Sequence, residues 1–134
     1  MSGHLYSDES FCHLESLDVH YNSAAQQLAD ITIRTAEGER LSGSATGAGS
    51  IEAVYNVIDK LMGESVTLKD YRIQSISPGM DAQAEVHTVI ATADGSIYHG
   101  VGIDHDVLNA SARAYIQAFS KQRHATLNTS EVEV

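Results

Sequence analysis

Four imidazole and carboxylate side chains crowd into the stretch "YHGVGIDHD": His99, Asp104, His105 and Asp106. Imidazole and carboxylate together are ligands for zinc and for harder divalent ions. The spacing follows no metal motif, since neither HxH nor HExxH occurs, and an aspartate just ahead of an apolar run is wanted as a helix cap. Solvated turn residues are the better reading. A nucleophile is no easier to find. Serines are frequent, but none stands in a nucleophile elbow, and Cys12, the single cysteine, has no histidine placed to activate it. Cys12 lies in a strand-like stretch between Phe11 and Leu14, which fits a buried thiol.

A second kind of chemistry needs backbone rather than side chains. In "SGSATGAGSIEAVYNVIDKL", Ser42 to Leu61, the glycines 43, 47 and 49 precede an amphipathic run. A glycine turn leading into a helix leaves several N–H groups unpaired and lets a ligand come close, and a carboxylate suits such a place. The stretch is no P-loop, because Ser50-Ile51 stands where Lys-Ser/Thr is needed, and it is not GxGxxG. On the residues alone, a plain structural turn and a small-anion site both stand.

The elements that must position these residues come as one unit written twice. Glu37-Gly38 and Asp94-Gly95 read as hairpin tips, and their glycines are 57 positions apart. At that offset Ile33 falls on Ile90, Gly43 on Gly100, Ile51 on Leu108 and Ala53 on Ala110. Alternation predicts strands over 11–21 and 70–77 ahead of each hairpin, and along Ile31–Ile33 and Val86–Ile90 within them. Ile51, Val54, Ile58 and Leu61 make one helical stripe that Gly63 stops; Leu108, Ala112, Tyr115 and Phe119 make the other, capped by Asp104 or Asp106. The pairing of Gly43 with Gly100 predicts a backbone role at the hairpin ends. Gly47 and Gly49 fall instead on Asp104 and Asp106, so the glycine turn is particular to the first copy.

The expected fold is α+β: two pseudo-repeated strand-strand-strand-helix units, 11–63 and 68–121, whose antiparallel sheets have helices packed between or against them, in a dimer. One folded domain, 11–121, sits between disordered segments at 1–10 and 122–134, which are polar and aperiodic. The 134-residue chain is 43% hydrophobic and carries a net charge of −10. That charge argues against a sequence-independent grip on nucleic acid and against an anionic membrane surface. No apolar run is long enough to span a bilayer and the start lacks a signal-peptide core, so a reduced, cytoplasmic setting is expected. Composition and motifs describe a binding module.

Four stretches, in order, give a resemblance. "FCHLESLDVHY", "GAGSIEAVYNVID", "LKDYRIQSISPGMDAQAEVHTVI" and "GVGIDHDVLNASARAYIQAF" resemble successive parts of the C-terminal regulatory domain of 2-isopropylmalate synthase, over roughly residues 11–121. The regulatory domain of citramalate synthase is the close alternative. The resemblance implies an allosteric domain that dimerises and binds leucine as feedback inhibitor, or isoleucine in the alternative. The family's catalysis, condensing acetyl-CoA with a 2-oxo acid, belongs to a separate metal-dependent barrel. This chain alone is then expected to be no enzyme, to hold no cofactor or metal, and to have as partners a branched-chain amino acid, a second copy and the catalytic barrel.

For the site, the resemblance implies Gly47, Ala48 and Gly49 at the ligand carboxylate. It places Ala82 and Ala84 where their carbonyls meet the ammonium, with Asp81 as a counter-charge. Ile51, Leu68, Tyr71 and Ile103 form the apolar pocket. Ala48 and Ser50 depart from the family pattern, which has Asn or Asp and then Pro there; these departures motivate a third reading, a purely structural dimerisation module.

Overall fold

A computed structural model describes residues 12–21, 26–35, 37–63, 66–75 and 83–132. Each half is an antiparallel meander followed by a helix. Strands β1 (Cys12–Tyr21), β2 (Gln27–Thr35) and β3 (Arg40–Gly47) precede helix α1 (Ser50–Met62), and β4 (Thr67–Ser75), β5 (Ala84–Ala91) and β6 (Ile97–Asp104) precede α2 (Val107–Val132). The sheets are ordered β1-β2-β3 and β4-β5-β6. The expected α+β architecture of two repeated units is the observed one.

The repetition extends to local detail. Gly38 and Gly95 both take φ 89°, the left-handed region that glycine adopts without strain. Their N–H groups bond back to Thr35 and Thr92 at 2.9 and 3.0 Å. A bulge interrupts the first strand of each unit, between Leu14 and Ser16 and between Leu68 and Asp70. Helix α1 stops at Gly63, φ 70°, whose N–H reaches the Asp59 carbonyl at 3.0 Å. Helix α2 is capped by Asp106, whose Oδ1 accepts the Leu108 N–H at 3.1 Å, while Asp104 Oδ1 accepts that of Asp106 at 2.9 Å.

The two bulges are 54 positions apart, whereas the helix starts Ser50 and Val107 are 57 apart. The difference falls in the connection from β4 to β5, which is three residues longer than its counterpart between β1 and β2. Strand β4 accordingly begins at Thr67 rather than at the expected 70, and the expected positions 76–77 lie outside the described residues.

Alternation sends Ala29, Ile31 and Ile33 of β2 inward under α1, while α2 packs against α1 and β1, and one core joins both units. Val54 and Ile58 of α1 and Tyr115, Ile116 and Phe119 of α2 are buried in it. Gly100 and Gly102 explain how α2 seats on β6. A Cβ at either would lie 2.0 Å from the Ala114 carbonyl or 2.1 Å from that of Ala110, so helix backbone rests directly on strand backbone. Gly43 likewise faces Leu61 of α1. These glycines serve helix–sheet packing along the strands, which corrects the expected role at hairpin ends. On the inner face of β1 Cys12 and Leu14 are buried and Leu17 and Val19 half-buried, whereas on β4 Leu68 is 40% and Ile73 50% exposed.

The segment 1–10 lies outside the described residues. The expected tail from 122 differs from the structure, in which α2 continues to Val132. The apolar stripe ends near Phe119, but Lys121, Gln122 and Arg123 are strong helix formers, and propagation adds a hydrogen bond with each residue. The Arg123 guanidinium also anchors this part of α2, its Nη2 donating to the Met62 carbonyl at 2.7 Å.

Candidate effector site

Strand β3 runs into α1 through Gly47, Ala48 and Gly49, and the two glycines do different things. A Cβ at Gly47 would lie 2.5 Å from the Ala53 nitrogen and 2.9 Å from its Cα, so only glycine lets the strand end touch the first helical turn. Gly49 is the N-cap, with an extended φ of −128°, and nothing lies within 4 Å of the place its Cβ would take. Its backbone is open to close approach, and its conformation does not demand glycine.

The amides are not bare. Glu52 curls back so that Oε1 accepts the N–H of Ala48 at 3.1 Å and of Gly49 at 3.3 Å, one half of a capping box. Two donors expected to face a ligand carboxylate are thus held by a carboxylate of the chain itself. The N–H groups of Ser50, Ile51 and Glu52 precede the first intrahelical bond, from Ala53 to the Gly49 carbonyl at 3.0 Å. An incoming anion meets those three, or displaces Glu52.

Ile51 is half-buried against the shared core, and Tyr55 follows one turn later on α1. The Tyr55 ring stacks on Tyr115 of α2, centroids 3.9 Å apart and planes 7° from parallel, and meets Tyr71 of β4 edge-on at 6.1 Å. Ser111 Oγ donates to the Val107 carbonyl at 2.8 Å, so its 2.7 Å contact with Tyr71 is a bond donated by the tyrosine hydroxyl. The buried Tyr55 hydroxyl has no well-directed partner among the described residues, with Ser111 as its polar neighbour. Burial, then the adjoining Tyr71 and Tyr115, push its pKa up, and it stays protonated.

Leu68 and Tyr71 share the inner face of the second sheet, since their cross-strand partners Ile90 and Thr88 both point into the core. Ala84 opens β5, paired with Asp104 on one side and Ser75 on the other. Ile103 is different. It follows Gly102, which faces α2, and it pairs with Glu85, so it projects from the opposite face and is 46% exposed. Within one chain the sheet itself separates Ile103 from Leu68 and Tyr71. Asp81 and Ala82 lie outside the described residues.

Sequence reasoning overlooked Glu52, Tyr55 and Ser111. A signal existed for each: glutamate at the third helical position is the reach-back half of a capping box, and a tyrosine in an apolar stripe needs a place for its hydroxyl. The histidine cluster does not assemble as a ligand set. His99 Nε2 meets His87 Nδ1 at 3.0 Å on the outer face of the second sheet, and His87 Nε2 bonds to Glu85. Among the described residues, no three His, Cys, Asp or Glu side chains are gathered to hold a metal ion. Nor is any described helix long and apolar enough to cross a membrane.

Residues 1–122 match the model of the LeuA allosteric (dimerisation) domain. The chain belongs to that family. Over 121 residues this LeuA-type domain is 48% identical to a 2-isopropylmalate synthase of Listeria monocytogenes serotype 4b and 40% identical to one of Staphylococcus aureus strain MRSA252. Each alignment covers 90% of this chain and 24% of the relative, so the LeuA-type domain spans about a quarter of the length of the curated relatives it matches.

Proposed function

We propose that this LeuA-type domain binds leucine as the feedback effector of a cytoplasmic 2-isopropylmalate synthase, acting as a homodimer attached to the catalytic barrel. The observation that carries the reading is the pairing of the open Gly49 backbone with the adjacent apolar and aromatic wall of Ile51, Tyr55 and Tyr71. The helix N-terminus suits a carboxylate and the wall suits a branched side chain. The relatives named above are 2-isopropylmalate synthases, which weighs toward leucine rather than isoleucine. The half-exposed Leu68 and Ile73 on β4, where the matching Leu14 and Val19 of β1 are buried and half-buried, leave an apolar strip for a second copy, and that copy would bring its own Ile103.

Calorimetry with leucine, isoleucine and valine tests the reading. Leucine should bind best and raise the melting temperature in proportion to ln(1 + [L]/Kd). Absence of heat with all three at millimolar concentration would leave the purely structural dimerisation module, which the departures at Ala48 and Ser50 favour.

A further inference from the structure

The opposite end of α1 holds a cavity of about 300 Å³ that lies away from the glycine turn. Its apolar wall comes from Cys12 of β1, Ile33 of β2, Leu41 of β3 and Leu61 of α1. Two charged side chains of opposite sign complete it: Arg123 from α2, and Glu37 from the tip of the β2–β3 hairpin.

Arg123 is incompletely used. Its Nη2 donates to the Met62 carbonyl at the C-terminus of α1, where a cation is favoured. Its Nε is buried and has no acceptor among the described residues. Nε is closed to solvent, so an anion in the cavity meets the guanidinium at the part that borders it, and guanidinium binds carboxylates through charge-assisted hydrogen bonds. Glu37 is exposed at the hairpin tip and carries the charge to meet an ammonium. The volume falls at the small end of ligand sites, enough for a compact branched chain.

We infer that this cavity is a second small-molecule site, for a carboxylate with a short branched apolar tail, and that Glu37 adds a preference for an α-ammonium. The carboxylate lies on Arg123, and the tail against Ile33, Leu41 and Leu61. The inference stands apart from the reading of the glycine turn, because it uses none of the same residues.

Cys12 is the chain's single cysteine and lines the cavity, so its alkylation by iodoacetamide reports occupancy. The probes are L-leucine, 4-methylpentanoate, which lacks the ammonium, and 3-methylbutylamine, which lacks the carboxylate. Leucine and 4-methylpentanoate should slow alkylation at millimolar concentration, leucine more effectively, and the amine should not. Arg123→Gln should weaken protection by both carboxylates at least about tenfold, the scale of a lost charged hydrogen bond. Glu37→Gln should erase leucine's advantage while leaving 4-methylpentanoate unchanged. Protection should survive Gly49→Val, which acts at the other end of the helix; loss of calorimetric leucine binding in that variant concerns the glycine turn alone. No protection by either carboxylate, or undiminished protection in a folded Arg123→Gln, overturns the inference. If Arg123→Gln does not fold, Glu37→Gln decides: an unchanged preference for leucine overturns it as well.

Discussion

The Tyr115 hydroxyl donates to Asp59 Oδ1 at 2.7 Å, tying α2 to α1 across the two repeats. Burial raises the Asp59 pKa above the ordinary carboxylate range, and the tyrosine bond pulls it the other way. With the folded value above the unfolded one of about 3.9, the folded state holds the proton more tightly. Asp59 therefore favours folding most below that unfolded value, and the contribution is lost as pH rises through the folded pKa. Asp59→Asn keeps an oxygen for Tyr115 and cannot titrate. Thermal melts from about pH 3 to pH 7 should show the wild type losing stability relative to this variant as pH rises.

Tyr115→Phe should be the more harmful change at neutral pH. It keeps the stacking on Tyr55 but leaves the half-buried Asp59 carboxylate without its donor. A loss of about 1–3 kcal/mol in urea denaturation is expected, and a loss within error would mean that water replaces the hydroxyl.

The two glycines of the turn should separate cleanly on substitution. Gly47→Ala forces a methyl into the Ala53 backbone and should destabilise the fold by about 1–3 kcal/mol, the usual scale of overpacking. Gly49→Val meets open space, at an extended φ that valine adopts readily, so the melting temperature should move little while leucine binding is lost. Leucine binding unchanged in a folded Gly49→Val would remove this end of α1 from the site.

Selectivity tests the apolar wall. Valine should bind more weakly than leucine by about 1–3 kcal/mol for the missing methylene, and glutamine should fail because its amide would be buried without partners. Leu68→Ala should weaken leucine. Ile103→Ala should do so only if a second copy brings that residue across, since one chain's sheet holds Ile103 and Leu68 on opposite faces. Light scattering on the same samples, expected to report a dimer, links the two results.

The elements were legible because their signals are local. Alternation in β2 and β5, the stripes of α1 and α2, and the acidic-Gly hairpins each occupy a few adjacent residues and repeat. The slip of three residues between β4 and β5 was hidden, because the 57-residue offset was anchored on hairpins and helices, which lie after it. The site was legible only in part. Gly47 and Gly49 look alike in sequence, and what distinguishes them is whether Ala53 stands opposite. Ile103 shares a strand with residues that face α2, and a change of one position in a strand is a change of face. Tyr71 and Ser111 are far apart in the chain, so their contact belongs to the packing of α2 on the second sheet.

The direct seating of α2 on Gly100 and Gly102 has a mechanical consequence. Where helix and strand meet backbone to backbone, no side chains can change rotamer to absorb a displacement. Helix α2 and the second sheet should then move as one stiff plate. Compliance is left to the parallel rings of Tyr55 and Tyr115, which can slide in their common plane at little cost in contact. A displacement at the start of α1 would be taken up first as shear at that ring pair, and whatever passes it would move the plate as a whole, out to its far edge along β4, where Leu68 and Ile73 lie exposed.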